Sequence, residues 1–390
     1  MDKEKGMNLK NRIFSEKEVN TGRQVEMDIA KVVFVIFVAM VHCTIDCVPE
    51  EALNSGLPYI FDTVIGGPMI APGLMFSMGA CLVYGRKKEW NDIVRRGMQI
   101  FLLGFLLNLC RYTIPDLIGY AISGDRDMFL SSIIYQTFNN DIFQLAGLVL
   151  ITIGIFIKLG LSDVSMILIA LLCSVVGTML NGTDTGNMVS NIILGYFIGT
   201  EDTAGQVMSY FVYMNWLIMP VSGYVFGKRL RRIKDKALFY RIASTACFLV
   251  TLPYFLIKIN SRQGMFGEGE LCYYHIITPD VLICITTAVT MFGIYYFIGK
   301  HLSERAVKLV YRIGTDMTAF YFIHWIFVAL TVQLCLNLVR GTQLLPMPMI
   351  LLLAVVITAV SLILADIWNS KIRKGFQKGK TEHEEKKTKY

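Results

Sequence analysis

Apolar and polar positions fall in long blocks along this chain. Runs of roughly 18–25 apolar residues are long enough to cross a bilayer as helices. They lie near 28–48, 58–84, 95–113, 141–159, 164–182, 207–227, 238–257, 276–298, 314–336 and 345–368. The pattern therefore predicts an all-α fold, a polytopic membrane bundle of about ten transmembrane helices. The stretch 187–200 is apolar but short, and reads as re-entrant or interfacial. Residues 1–27 form a polar N-terminal segment, 28–368 the membrane domain, and 369–390 a basic disordered tail.

Charge supports the alternation of these runs. Cytoplasmic links carry an excess of Lys and Arg. Arg86, Lys87, Lys88, Arg95 and Arg96 follow the second run, and Lys228, Arg229, Arg231, Arg232, Lys234 and Lys236 follow the sixth. Lys300, Arg305, Lys308 and Arg312 follow the eighth, and Lys371, Arg373, Lys374 and Lys378 the tenth. The links 48–57 and 183–206 hold acids and neither Lys nor Arg. This places both termini in the cytoplasm and the protein in the cytoplasmic membrane. The first run is too long for a signal-peptide core and no small-residue cleavage site precedes it, so it reads as retained.

Composition agrees. The chain is 54% hydrophobic and 17% charged, with a mean hydropathy of +0.52. A soluble domain carries roughly 25% charged residues, so this one has too little charge to cover a watered surface. The net charge of +7 lies in short clusters between apolar runs and does not point to nucleic acid. Nine cysteines show no metal spacing such as CxxC and read as small buried hydrophobes. Cys43 and Cys47, one helical turn apart, have a spacing that fits a metal or a strained link, and helix packing is the preferred reading.

Polar residues inside the runs are the candidates for chemistry, because each is costly in hydrocarbon unless paired or beside water. In the first run Lys31 and His42 are eleven residues apart, on one helical face and roughly 16 Å apart. Asp46 lies one turn further on, where it can fix the tautomer of His42 and leave its other nitrogen as a base. In the ninth run Thr318, Tyr321 and His324 cluster on the wheel. Arg95 and Arg96 open the third run as positive-inside anchors or as a phosphate clamp. Two prolines and several glycines between Gly66 and Gly79 predict a broken second helix, beside a cavity or a close neighbour. Asp141 opens the fourth run, with Gln144 after it; it is placed to cap that helix or to orient an acceptor.

These islands together resemble the transmembrane acyltransferase superfamily, which includes the acyltransferase-3 family and relatives of heparan-α-glucosaminide N-acetyltransferase. The likeness is carried by Asp28 and Lys31 followed by His42, by Pro72-Gly73-Leu-Met-Phe76-Ser77-Met-Gly79, and by Arg95-Arg96…Leu-Leu-Gly104. Asp141-Ile-Phe-Gln144-Leu-Ala-Gly147, Gly223-Tyr-Val-Phe-Gly227-Lys-Arg229 and Tyr321-Phe-Ile-His324-Trp325 extend it through the chain in consistent order. The family usually has arginine where Lys31 stands; lysine keeps the charge and loses the bidentate fork.

The resemblance implies transfer of an acyl group, often acetyl, from cytoplasmic acyl-CoA to a hydroxyl or amine of a glycan or lipid-linked acceptor on the far side. Acetyl-CoA is then a co-substrate, and no permanent cofactor or metal is expected. Lys31, Arg95 and Arg96 would hold the donor phosphates. His42, Asp46 and His324 would be catalytic, with His42 acting as base or becoming transiently acylated. Asp141, Gln144 and Tyr321 would face the acceptor. Two other readings fit the residues: a proton-coupled transporter or flippase, and a sensor or structural membrane module.

Overall fold

The computed structural model describes residues 9–53, 55–86, 88–202, 209–261, 271–315 and 317–372. Residues 1–8 of the N-terminal segment and 373–390 of the tail lie outside them. The described chain is helical, with two isolated bridges, Phe14 to Ile233 and Thr183 to Thr200.

Among the described residues, eight of the ten expected spans are helices long and apolar enough to cross a membrane. They are α1 (Val25–Cys47), α2 (Gly56–Leu82), α3 (Trp90–Ser123), α4 (within Arg126–Lys158), α8 (Lys236–Ser261), α9 (Thr278–His301), α11 (Met317–Arg340) and α12 (within Met347–Ser370). The other two are shorter. Helix α5 (Asp163–Met179) has 17 residues and α7 (Ile218–Leu230) has 13. A four-residue turn, Tyr213–Trp216, leads into α7. The short apolar stretch forms α6 (Met188–Gly195), whose eight residues rise only about 12 Å, so it cannot span. An amphipathic helix, α10 (Glu304–Thr315), links α9 to α11.

Two helix pairs frame the bundle, α3 with α4 and α2 with α7. Both depend on glycine. A Cβ on Gly97 would stand 2.7 Å from the Gly147 carbonyl, and one on Gly147 would stand 2.8 Å from that of Gly97. A Cβ on Gly223 would overlap the Phe76 backbone. Small residues let spanning backbones approach this closely where no hydrophobic drive separates helix from lipid.

The broken second helix is present. Residues Ile60–Ile70 of α2 form a wide, π-helical stretch containing Pro68. Proline removes one N–H and crowds the carbonyl four residues back, so the helix opens there. The Tyr273 hydroxyl donates to the Gly66 carbonyl (3.4 Å).

Basic residues gather at one end of the bundle. Arg23 lies over the Tyr311 ring (3.1 Å), Lys158 over Trp90 (4.3 Å), and Arg312 pairs with Asp366. At the opposite, far end Leu345 N–H donates to the Cys47 carbonyl (2.9 Å) and Trp216 Nε1 to that of Tyr274 (2.9 Å).

Candidate functional site

Helix α1 carries Lys31 near the basic end and His42 toward the far end, as the eleven-residue spacing requires. Helix α11 packs beside it and presents His324, which is fully buried. The two imidazoles face each other with centroids 5.6 Å apart. His42 also lies against Trp325, at 4.0 Å between centroids. Phe320 stacks on His324 at 5.3 Å, and Tyr321 meets it edge-on at 5.0 Å. Tyr321 in turn touches Phe143, one residue before Gln144 on α4. An aromatic cage therefore holds both histidines between α1, α4 and α11.

The charged wall of this cage was not anticipated. Arg111 is buried and forms an ion pair with Asp141. Its NH2 group donates to Asn108 Oδ1 (3.1 Å), and its guanidinium lies over Trp325 (4.5 Å) and Tyr112 (4.4 Å). Electrostatically it is a neighbour of both His42 and His324. Helix α3 is wide at Leu109–Thr113 and continues into Pro115. Proline at 115 cannot supply the donor for the carbonyl of residue 111, so the turn opens where Arg111 enters the bundle. An arginine at the far end of the third apolar run, 95–113, was the available signal in the sequence.

Asp141 caps α4, one of the two roles expected of it, and adds an ion pair that was not expected. Its carboxylate caps α4, accepting from Ile142 N–H, while Asp141 N–H donates to Gln144 Oε1 (3.1 Å). The same carboxylate holds Arg111. Capping fixes the position of the acid, and the acid fixes the arginine against the cage. Beneath them, Asn108 Nδ2 donates to the Thr137 and Asn139 carbonyls (3.2 and 2.8 Å). This polar floor is what lets an ion pair persist in so buried a place, since a buried charge must be paired and hydrogen-bonded.

Several buried polar atoms here have no hydrogen-bond partner among the described residues: both ring nitrogens of His324, Nε of Arg111 and Nε2 of Gln144. Buried polar atoms are almost always satisfied, so orphans this close together mark a place for water or a polar ligand.

The predicted donor residues are elsewhere. Lys31 donates to Asp28 Oδ1 (3.3 Å), with Arg23 on the other oxygen of the same carboxylate. Gly314 leaves room beside this pair; a Cβ there would stand 3.3 Å from both Asp28 and Lys31. Arg95 and Arg96 are exposed on the first turns of α3. Asp46 continues the His42 face of α1, and both Cys43 and Cys47 feel its charge. Thus His42, His324, Tyr321, Asp141 and Gln144 gather around the cage, whereas Lys31, Arg95 and Arg96 lie at the basic end.

A family model described as heparan-alpha-glucosaminide N-acetyltransferase, catalytic, matches residues 23–258, more than half of the chain. The match spans His42, Arg111 and Asp141 and ends before Tyr321, His324 and Trp325. No curated protein and no solved structure matches the chain.

Proposed function

Because the chain belongs to the heparan-alpha-glucosaminide N-acetyltransferase catalytic family, we propose that it moves an acetyl group from acetyl-CoA to a hydroxyl or amine of a glycan or lipid-linked acceptor. The donor enters from the basic end, taken as cytoplasmic, and the acceptor from the far end, in the plasma membrane. The observation that carries this reading is the histidine pair, His324 buried and His42 half-buried, 5.6 Å apart beside the Arg111–Asp141 ion pair.

The step needs a base, a way to hold the acceptor, and a dry site. His42 takes the proton of the acceptor hydroxyl or amine as that atom attacks the thioester carbonyl. The new carbon–oxygen or carbon–nitrogen bond forms, the carbon–sulfur bond breaks, and the proton passes to the departing thiolate. The Trp325 face at 4.0 Å favours the transient imidazolium, because an indole attracts a cation lying over it. Asp46 orients His42. His324 and Tyr321 supply polar edges to the reacting groups from the opposite helix. Asp141 and Gln144 stand at the far-end mouth, where an acceptor arrives, and the basic end draws the anionic donor at the other.

The test is turnover in proteoliposomes supplied with labelled acetyl-CoA and a panel of amino sugars and glycolipids. His42→Ala is expected to lower turnover by about 10²- to 10⁴-fold, the usual worth of a positioned base. Full activity in that variant overturns the assignment. Mass spectrometry of a quenched reaction reports the second point: a base leaves the peptide over 28–48 unmodified, whereas an acetylated His42 would require a covalent intermediate.

A further inference from the structure

A cavity of about 320 Å³ opens at the basic end. It lies where the two framing helix pairs meet: Leu82 and Val83 end α2, Ile93 begins α3, Ile157 ends α4, Asp163 begins α5 and Tyr224 stands on α7. Its polar lining is five cations, Lys88, Lys228, Arg229, Arg231 and Arg232, against two carboxylates, Glu18 and Asp163. The carboxylates are taken by three of the cations: Asp163 by Lys228 and Arg229 (2.9 Å for Arg229), and Glu18 by Arg231. Lys88 and Arg232 have no carboxylate partner among the described residues and are exposed.

The wall is held in place. Ser15 N–H donates to the Arg232 carbonyl (2.7 Å), Val19 N–H to that of Arg231 (2.8 Å), and Lys234 N–H to that of Ile13 (2.8 Å). The N-terminal segment thus straps the 231–234 turn and presents its arginines at fixed positions. A cleft lined by one sign of charge concentrates the field, and guanidinium forks match phosphate oxygens. The volume falls within the roughly 300–1,000 Å³ of small-molecule sites.

We propose that this cavity holds the phosphates at the nucleotide end of the acyl donor, in preference to the exposed Arg95–Arg96 pair. The inference rests on the acyltransferase reading. Phosphates of anionic lipid share this chemistry, so the test separates the two sources.

Calorimetric titration of the detergent-purified full chain uses three probes: coenzyme A, adenosine 3′,5′-bisphosphate, and pantetheine, which lacks phosphate. Lys88→Ala/Arg232→Ala is expected to weaken the two phosphate-bearing probes at least about tenfold, the worth of one lost charge-assisted hydrogen bond. Pantetheine should bind the wild type and this variant alike. Arg95→Ala/Arg96→Ala should keep most of the coenzyme A affinity, and Arg232→Lys should restore part of what Arg232→Ala loses. Coenzyme A binding unchanged in the cavity variant, and lost instead with Arg95 and Arg96, overturns the cavity and leaves the acyltransferase reading standing. Tight coenzyme A binding without acetyl transfer to any acceptor supports the cavity and sinks that reading. Nucleotide binding abolished in phosphatidylglycerol nanodiscs and retained in neutral ones assigns the cavity to lipid headgroups and overturns the proposal.

Discussion

Arg111 and Asp141 illustrate what a single residue can and cannot announce. Each has a bland explanation when read along the chain, as the end of one helix and the cap of another. Brought together, they form an almost fully buried ion pair against Trp325. Removing one partner from such a pair strands a charge and typically costs about 3–5 kcal/mol. Arg111→Ala should therefore lower the unfolding midpoint sharply in thermal denaturation of the detergent-solubilised protein. The apolar double replacement Arg111→Met/Asp141→Leu should regain much of that loss, apart from the lost cap. Asp141→Asn separates the roles, because asparagine caps a helix as well as aspartate does. It should destabilise through the ion pair alone, and more than Ser162→Asn, where the cap of α5 is exchanged with no ion pair at stake.

Helix packing and loop closure are decided at the element scale. Helices α2 and α7 cross where Gly79 faces Pro220 and Gly223 faces Phe76, with no space for a side chain on either. Overfilling a packed contact costs roughly 1–3 kcal/mol. Gly223→Val should lower thermal stability by that order, while Gly73→Val, at a position with nothing within 4 Å, should change it little. At the far end, His275 ties two segments together. Its Nε2 lies 2.9 Å from both the hydroxyl and the carbonyl oxygen of Ser209, and its carbonyl accepts from Asn181 Nδ2 (2.6 Å). Burial pushes the His275 imidazole below its ordinary value, with the Ser209 carbonyl acting in the opposite sense. The folded state therefore favours the neutral ring. Its contribution is full above the ordinary imidazole value of about 6.5 and is lost as pH falls below it, because the unfolded segment takes the proton more readily. Opening of residues 181–200, read as amide exchange divided by its intrinsic rate at each pH, should quicken between pH 7.5 and 5.5, and His275→Gln should flatten that dependence. No acceleration in the wild type would mean that the ring does not govern this closure.

For the whole molecule, charge asymmetry sets how it sits in the bilayer. Ser15 lies in the strap beside the basic links and Thr185 in the acidic far-end loop. In a cysteine-free background, Ser15→Cys and Thr185→Cys should react with an impermeant maleimide from opposite sides of the membrane. Labelling of both from one side would overturn the proposed arrangement. Apolar block length and charge alternation alone determined that the chain is an all-helical membrane bundle, because hydrocarbon imposes its thickness on every span. Composition also exposed His42 and His324, since a polar group in an apolar run is conspicuous wherever it stands. Among the described residues span length was legible for eight helices, while α5 and α7 are shorter than a full span. Tertiary structure alone decided that the two histidines face each other, that Arg111 joins them, and that the basic cavity is lined by Lys88, Arg231 and Arg232 and not by Arg95 or Arg96. Those are contacts between residues tens to hundreds of positions apart. Periodicity fixes which face a residue occupies on its own helix, but only packing fixes which faces meet.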